Sequence, residues 1–255
     1  QMMKNYVLIT GGFGFVGYNL LKKLSKLGHK IIVIDNLFNA EEKKIGKNIK
    51  YFKIDISEKS NLNLLDSFKI DLIFHLAAQS SNATSFIDPI EDLNFNQIGT
   101  YNLLEYATKR NIKRFIYTSS MSVYGNIDNY PTPEENMKKP DSFYAIHKLA
   151  GEYYCHIFNS YMNIDYTIFR LYSVYGFGQN TNNLDQGLLS IFLGYIINKA
   201  KLIVKGSAER ERDIIHVEDV TDALVKSIKN HKTYNKTYNL GFGKSLKICY
   251  QFFLK

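Results

Sequence analysis

The sequence predicts an α/β fold in which helices cover both faces of a parallel sheet. Two observations support this: short apolar runs typical of strands alternate with segments of helical apolar spacing, and a glycine-rich turn follows the first of these runs. With 255 residues, of which 45% are hydrophobic, the chain is long enough for one large domain or for one domain with a small lobe.

The apolar runs and the helical spacings locate the individual elements. Strands are predicted at residues 6–10, 30–35, 51–56, 71–77, 113–119, 164–172, 202–205 and 237–240. Helices are predicted at residues 17–27, 94–109, 141–161, 188–200 and 217–229. The run at 71–77 is apolar enough for burial on both faces, as a central parallel strand requires.

Charge and composition argue against several classes of function. The formal net charge is +8, but the lysines are scattered, so we expect an anionic small substrate and no nucleic-acid partner. The longest apolar run, residues 188–197, is too short to span a bilayer, so no membrane segment is expected. Cys155 and Cys249 are far apart, and no histidine has metal-ligand spacing. We therefore expect a reducing, cytoplasmic location and no metal.

The turn after the first strand has the spacing of a dinucleotide-binding loop. Residues 10–17 satisfy both G-x-G-x-x-G and G-x-x-G-x-x-G between a strand and a helix. Glycine lets the backbone approach a pyrophosphate closely, and the free N–H groups at the helix N-terminus favour its negative charge. The candidate ligands in this loop are Gly11, Gly14, Phe15, Val16 and Gly17.

An acidic residue at the end of the second strand strengthens the dinucleotide prediction. Asp35 can accept hydrogen bonds from both hydroxyls of an adenosine ribose, and it would repel a 2′-phosphate. The following residues, 36–39, supply no cation. The sequence therefore favours NAD over NADP.

Tyr144 and Lys148 form the candidate catalytic pair. Residues four apart share a helix face, so the phenol and the ammonium can point at one ligand, and a nearby cation favours the phenolate. Ser119 and Ser120 end the preceding strand, at the sheet edge where the glycine-rich loop also lies. By itself a Tyr-x-x-x-Lys spacing is common. The convergence of three segments on one edge favours a site: the glycine-rich loop, the Ala77-Ala78 loop and the Ser119-Ser120 turn.

Six ordered segments carry a resemblance to a known family. They are residues 10–17, 75–78, 119–125, 144–148, 170–176 and 212–219. Together they resemble the extended short-chain dehydrogenase/reductase family, in the branch of NAD-dependent epimerases and dehydratases that is similar to UDP-glucose 4-epimerase. The resemblance implies a Rossmann-type doubly wound sheet, NAD as cofactor and a nucleotide sugar, most simply a UDP-sugar, as substrate. It also implies a homodimer through a four-helix bundle built from helix 94–109 and the helix that carries Tyr144.

The resemblance further implies roles for individual residues. Tyr144 would be the acid/base, Lys148 would tune its pKa and bind the nicotinamide ribose, and Ser120 would hydrogen-bond the sugar oxygen. The implied cofactor ligands outside the glycine-rich loop are Asp35, Asn36, Asp55, Ile56, Leu76, Ala77, Ala78, Asn96, Tyr144, Lys148 and Tyr172. The implied substrate ligands are Ser120, Tyr144, Ser173 and Arg212. Arg212 resembles the family's diphosphate-binding arginine, the alternative being a surface arginine beside Glu211.

The residues after Ser120 bear on the type of reaction. Dehydratases of the family carry an acidic residue there, whereas this chain has Met121 and Ser122, which cannot expel a hydroxyl group as acid and base. We therefore expect an NAD-dependent epimerase that acts at C4 of a nucleotide-activated sugar through a transient 4-keto intermediate. The alternatives are a reductase or dehydratase of the same family, or a truncated NAD-binding protein without turnover.

Two departures from the family pattern concern the sugar pocket. Ser173 stands where many relatives have asparagine, so the identity of the sugar is open. The chain also ends soon after residue 241, where relatives continue. We therefore expect an NAD-binding domain from residues 1–175 and 214–245, with a small, truncated substrate lobe from residues 176–213 and 246–255.

Overall fold

The computed structural model describes residues 5–126, 131–181, 187–201, 209 and 211–247. Its strands are β1 (Tyr6–Thr10), β2 (Lys30–Asp35), β3 (Ile49–Lys53), β4 (Ile70–His75), β5 (Arg114–Ser120), β6 (Asp165–Leu171), β7 (Ser173–Tyr175), β8 (Glu211–His216), β9 (Lys236–Leu240) and β10 (Ser245–Lys247). Its α-helices are α1 (Phe15–Lys26), α2 (Asn82–Ile87), α3 (Pro89–Leu93), α4 (Gly99–Lys109), α5 (Phe143–Met162), α6 (Leu188–Ile197) and α7 (Val217–Lys226).

Seven of these strands form one parallel sheet in the order β3-β2-β1-β4-β5-β6-β9. The order runs outward in both directions from β1 and β4, so the carboxyl ends of these two strands border the crevice where such sheets bind ligands. The doubly wound α/β fold predicted from the sequence is confirmed.

The two faces of the sheet bury separate cores because side chains alternate along each strand. On β1, Leu8 packs into a core with α4 and α5, whereas Val7 and Ile9 pack into a core with α1 and α7. Each fully buried side chain of this kind contributes roughly 1.5–3 kcal/mol relative to an exposed one. The central strands therefore contain apolar residues on both faces, which is why the sequence identifies them.

A second, smaller sheet has the order β10-β8-β7. Strand β8 pairs in parallel with β7 and antiparallel with β10. None of its strands was predicted, because β7 and β10 have three residues each and β8 begins with three charged residues. How the chain divides into the two predicted domains stays a prediction.

Several predicted boundaries differ from the structure. The strand predicted at 51–56 is paired only up to Lys53, because Asp55 turns the chain by accepting a hydrogen bond from the Ser57 N–H at 2.9 Å. The helix predicted at 94–109 begins with a π turn, Asn94–Ile98, and continues as α4. The strand predicted at 202–205 lies outside the described residues. Within the described part of the chain, no helix is long and apolar enough to cross a membrane.

Candidate cofactor and catalytic site

The glycine-rich loop joins β1 to α1 and leaves no space for a side chain at Gly11 or Gly17. Gly11 has a φ of +65°, and a Cβ atom there would lie 2.7 Å from the backbone of Ala77. A Cβ atom at Gly17 would collide with the carbonyl oxygen of Gly11. At the start of α1, Gly14 provides no side-chain cap, so the first N–H groups, including those of Phe15 and Val16, face a cradle suited to phosphate oxygens.

A buried hydrogen-bond chain ties this loop to the neighbouring loop at residues 76–78. The Thr10 Oγ1 atom accepts hydrogen bonds from the N–H groups of Leu76 and Ala77, at 3.2 and 3.1 Å. It also lies 2.8 Å from His75 Nδ1, while His75 Nε2 lies 2.8 Å from Thr100 Oγ1. Because the Thr100 hydroxyl donates to a backbone carbonyl, it accepts from Nε2–H, and the Thr10 hydroxyl donates to Nδ1. Burial, aided by the charge of Lys148, holds the pKa of His75 well below its usual value, consistent with this neutral form.

Asp35 is buried against the glycine-rich loop. One carboxylate oxygen accepts from the Phe13 N–H at 3.0 Å, and the other accepts from the Leu37 N–H at 2.9 Å. A carboxylate oxygen has more than one acceptor position, so both can still receive ribose hydroxyls. Leu37 itself has a φ of +62°, an uncommon conformation for a leucine, in the segment that shapes this end of the site.

The next pair of candidate ligands lies beside Asp35. The Asn36 side-chain amide donates to Asp55 Oδ2 at 3.0 Å. Ile56 follows Asp55 and is buried under the start of α4, where a Cβ atom on Gly99 would lie 2.6 Å from Ile56 Cγ1. Asp35, Asn36, Asp55 and Ile56 are therefore brought together at the ends of β2 and β3.

One cation in this region was missed by the sequence argument. The Lys43 ammonium donates to the carbonyl oxygen of Phe13 at 2.7 Å and lies 4.6 Å from the centre of the Tyr18 ring. Burial lowers the pKa of Lys43, although the nearby Asp35 charge raises it. Lys43 lies beyond residues 36–39, and no local sequence pattern indicates that the chain folds back at residue 43.

Asn96 is fully buried in the π turn and has one free acceptor. Its amide nitrogen donates to the Gln79 carbonyl and to Asp92 Oδ1, both at 2.9 Å. Its Oδ1 atom has no hydrogen-bond partner among the described residues. Buried acceptors are normally paired, so this atom indicates a position for a ligand donor. Together with the glycine-rich loop, this Asn96 acceptor shows that the residues of the site fit a dinucleotide.

Tyr144 and Lys148 lie one turn apart on α5, and both are buried. The Tyr144 hydroxyl lies near Ser120, which ends β5. Burial raises the pKa of Tyr144 to about 12, although the nearby Ser120 hydroxyl lowers it. Burial lowers the pKa of Lys148 to about 7, against the negative charges of Glu152 and Asp92. The structure thus assembles Ser120, Tyr144 and Lys148, but it favours the neutral phenol of Tyr144 while no further charge is present, and it brings the titration of Lys148 close to neutral pH.

The side chains after Ser120 carry no acid. Met121 and Ser122 begin a short 3₁₀ turn, and the Ser120 hydroxyl donates to the Ser122 Oγ atom at 3.2 Å. The Ser122 N–H in turn donates to Ser120 Oγ at 3.2 Å, which fixes the position of that oxygen. The group beside Ser120 is therefore a second hydroxyl.

Two buried ionic contacts flank the candidate pair on α5. On one side, His147 Nδ1 lies 2.5 Å from Asp92 Oδ2, and Asp92 also accepts from Gln79. On the other side, Glu152 and Arg170 form a two-pronged ion pair at 2.7 and 2.9 Å. Neither pairing was predicted from the sequence, although Glu152 follows Lys148 by one turn.

The predicted substrate ligands are distributed more loosely. Ser173 lies on β7, opposite Ile214 of β8, and Arg212 lies on the same strand β8. Both side chains are half-buried, and Arg212 donates to the carbonyl oxygen of Glu211 at 2.8 Å. Tyr172, at the end of β6, is also half-buried, and burial raises its pKa to about 12. The described residues contain no cluster of ligands that could hold a metal ion.

The fold and the site together define a dinucleotide-dependent enzyme of the α/β class. They combine a parallel sheet, a glycine-rich loop, an acidic residue at the end of β2 and a Ser-Tyr-Lys cluster at one edge of the sheet. The sequence pattern of the NAD dependent epimerase/dehydratase family matches residues 7–241, and the chain belongs to this family. The cofactor of the family is NAD, as predicted.

Known proteins agree with this assignment. The chain is 33% identical to UDP-glucose 4-epimerase of Mycolicibacterium smegmatis, over 86% of this chain and 72% of that protein. Its structure is similar to that of UDP-glucose 4-epimerase from Thermotoga maritima with UDP-glucose, at 31% identity and a TM-score of 0.91, over 95% of this chain and 79% of the other. It is also similar to UDP-N-acetylglucosamine 4-epimerase from Methanobrevibacter ruminantium in complex with UDP-N-acetylmuramic acid, at 29% identity and a TM-score of 0.90, over 97% and 80%.

Proposed function

We propose that this protein is an NAD-dependent epimerase that inverts C4 of a nucleotide-linked sugar. The observation that carries the proposal is the cluster of Ser120, Tyr144 and Lys148 at the sheet edge, with a hydroxyl at Ser122 and no acid beside it. The UDP-sugars in the names of the similar proteins support a UDP-hexose or UDP-hexosamine as substrate.

The residues that would hold the cofactor follow from the site. The backbone of Gly11, Gly14 and Gly17 would face the pyrophosphate, as would the first N–H groups of α1. Asp35 would bind the adenosine ribose, Asp55 and Ile56 would border the adenine, and Ala77, Ala78 and Asn96 would line the middle of the cofactor. The chemistry that NAD supplies when bound is to accept hydride from the sugar carbon and to return it.

Tyr144 would move the proton of this reaction. Its phenolate would take the proton of the sugar 4-hydroxyl as the carbon is oxidised, and its phenol would return the proton when the keto group is reduced. Ser120, which lies near the same phenolic oxygen, would hold the sugar oxygen within reach. Because burial opposes the phenolate, protonated Lys148 and the positive nicotinamide ring together would lower the pKa of Tyr144 in the complex.

The same residues argue against water loss. A 4,6-dehydration needs an acid and a base to expel the C6 hydroxyl, and a methionine and a serine hydroxyl near neutral pH supply neither. Dehydration and simple reduction remain the alternatives within the family. A product lighter by one water molecule, detected by mass spectrometry, would identify a dehydratase.

Exposed apolar side chains on α5 support the proposed homodimer. Ile146, Tyr153, Ile157 and Tyr161 are each about half exposed or more, and their spacing of seven, four and four residues places them along one stripe of the helix. Tyr101 of the neighbouring α4 is exposed beside them and contacts Tyr154. Two such helix pairs would bury this stripe, and the molar mass in solution tests it. The cytoplasmic location expected from the cysteines stays a prediction.

Turnover is the direct test. Purified protein incubated with UDP-hexoses should form the C4 epimer with no net change in NAD absorbance. Tyr144→Phe should lower turnover about a thousandfold, because it removes the acid/base, and should leave NAD bound. Tyr153→Phe, an exposed tyrosine on the same helix, is the matched control and should keep full activity.

Two different results would contradict the proposal. Activity that survives Tyr144→Phe would show that another group moves the proton. Absence of turnover with every UDP-, GDP-, CDP- and dTDP-sugar, in protein that binds NAD, would exclude the enzyme and leave an NAD-binding protein.

A further inference from the structure

Two phenylalanines meet at the end of the site where β2 and β3 terminate. The rings of Phe38 and Phe95 are 5.0 Å apart between centroids and are tilted by 61° in an edge-to-face arrangement. Phe38 follows β2, and Phe95 lies in the π turn before α4. Phe38 remains 47% exposed although it contacts another aromatic ring.

The position of Phe38 is set by the candidate adenosine ligands. Its N–H donates to Asn36 Oδ1 at 3.0 Å, and the Asn36 amide donates to Asp55 Oδ2 at 3.0 Å. Leu37, with its φ of +62°, packs into the core on the α1 face of the sheet. Phe38 is thereby directed to the opposite side, toward α4 and Phe95.

The position of Phe95 is set by the π turn. Its neighbour Asn96 is buried at 1% exposure, with its unpaired Oδ1 atom, whereas Phe95 stays half-buried. Gly99, four residues later, packs directly on Ile56. The turn therefore holds Phe95 above the ends of β2 and β3 and beside the predicted cofactor ligands.

We propose that Phe38 and Phe95 form an aromatic clamp that covers the adenine of the bound dinucleotide. This inference rests on the proposed function, since it assumes the cofactor site described above. Asp35 takes the adenosine ribose, so the base lies beyond it, toward Asp55 and Ile56, in the space that the two rings border. Aromatic side chains stack on any base face, and a clamp from two different segments closes over the base only when both are in place.

A simpler role for the two rings is structural: they would only pack the loop after β2 against the rest of the fold. Measurements of affinity for the cofactor distinguish this role from binding of the adenine. Isothermal titration of the full-length protein should give Kd values for NAD⁺ and for ADP-ribose. Phe38→Ala and Phe95→Ala should each weaken both ligands about tenfold, because a stacked base is lost in either complex. The melting temperature without ligand should change little, and the rise in melting temperature on adding NAD⁺ should shrink.

The chain provides a matched control. Phe86 and Phe143 form a similar edge-to-face pair at 5.6 Å, away from the glycine-rich loop on α2 and α5, and Phe86 is 58% exposed. Phe86→Ala should leave both Kd values unchanged. The clamp would be overturned if Phe38→Ala and Phe95→Ala left both Kd values unchanged, or weakened binding no more than Phe86→Ala does. Either result would leave NAD⁺ binding by the wild-type protein intact. A wild-type protein that binds no NAD⁺ would overturn the proposed function and the clamp together.

Discussion

The large sheet and the small sheet differ in how they hold polar side chains. In the large sheet and its helices, polar groups such as Asp92, His147, Glu152 and Arg170 are buried and joined in pairs, Asp92 with His147 and Glu152 with Arg170. In the small sheet, Ser173 and Arg212 sit half-exposed on short strands, beside exposed apolar side chains such as Leu246. The cofactor machinery is thus part of the folded core, whereas the proposed substrate contacts contribute little to stability.

The largest expected effect concerns the buried ion pair beside Lys148. Glu152→Gln removes the negative charge that pairs with Arg170 and leaves the buried guanidinium without a counter-charge. Breaking a pair of this kind destabilises by about 3–5 kcal/mol. Urea unfolding followed by circular dichroism measures the change.

An exposed pair gives the matching control. Asp66 lies 3.7 Å from Arg110, and both side chains are more than a third exposed. Asp66→Asn should cost less than about 1 kcal/mol, because water screens the pair. If Glu152→Gln and Asp66→Asn lowered the free energy of unfolding equally, burial of the ion pair would not be what makes the contacts of the large sheet stabilising.

This contrast also explains how much of the fold the sequence predicts. Strands β1, β2, β4 and β5 are buried on both faces and each has a continuous apolar segment, so their positions follow from the apolar pattern. Strands β7 and β10 are too short to show an alternating pattern, and their pairing with β8 depends on contacts distant in sequence. The partners of Asp92–His147 and Glu152–Arg170 are also separated in sequence, by 55 and 18 residues, which is why these pairs were missed.

The second effect follows from the burial of Lys148. Its pKa falls from 10.5 to about 7, so the folded protein releases a proton that the unfolded chain retains between these pH values. The stability of the ligand-free protein should therefore rise with pH across this window, and the penalty for the charged side chain is fully present below pH 7. Lys148→Met should raise the free energy of unfolding by about 2 kcal/mol at pH 6, with the gain vanishing near pH 10.

Lys148→Met should also abolish epimerisation if Lys148 tunes Tyr144. An exposed lysine provides the comparison: Lys109→Met, at the end of α4, should give no gain that depends on pH in this way. A Lys148→Met protein that is less stable than the wild type at pH 6 would show that the ammonium is well stabilised in the fold, for example by the Tyr117 ring 4.3 Å away.

The candidate site was predictable to the extent that it is local in sequence. The glycine spacing, Asp35 and the Tyr144–Lys148 pair each lie within a single turn or strand end, and their meeting at one edge follows from the parallel sheet. The protonation states were not predictable, because burial depends on packing from several elements. Lys148 illustrates this: its position follows from spacing, but its depressed pKa depends on the tertiary structure.

The smallest effect on the fold is expected in the small sheet. Arg212→Ala should change the free energy of unfolding by less than about 0.5 kcal/mol, since its side chain is half-exposed. If Arg212 binds the substrate diphosphate, the same change should raise KM for the UDP-sugar at least about tenfold, because a hydrogen bond to a charged group contributes about 1.5–3 kcal/mol. Arg212→Lys should recover part of the affinity but not the two-pronged contact. Unchanged KM in Arg212→Ala would make it a surface arginine, and the diphosphate ligand would then have to come from elsewhere in the chain.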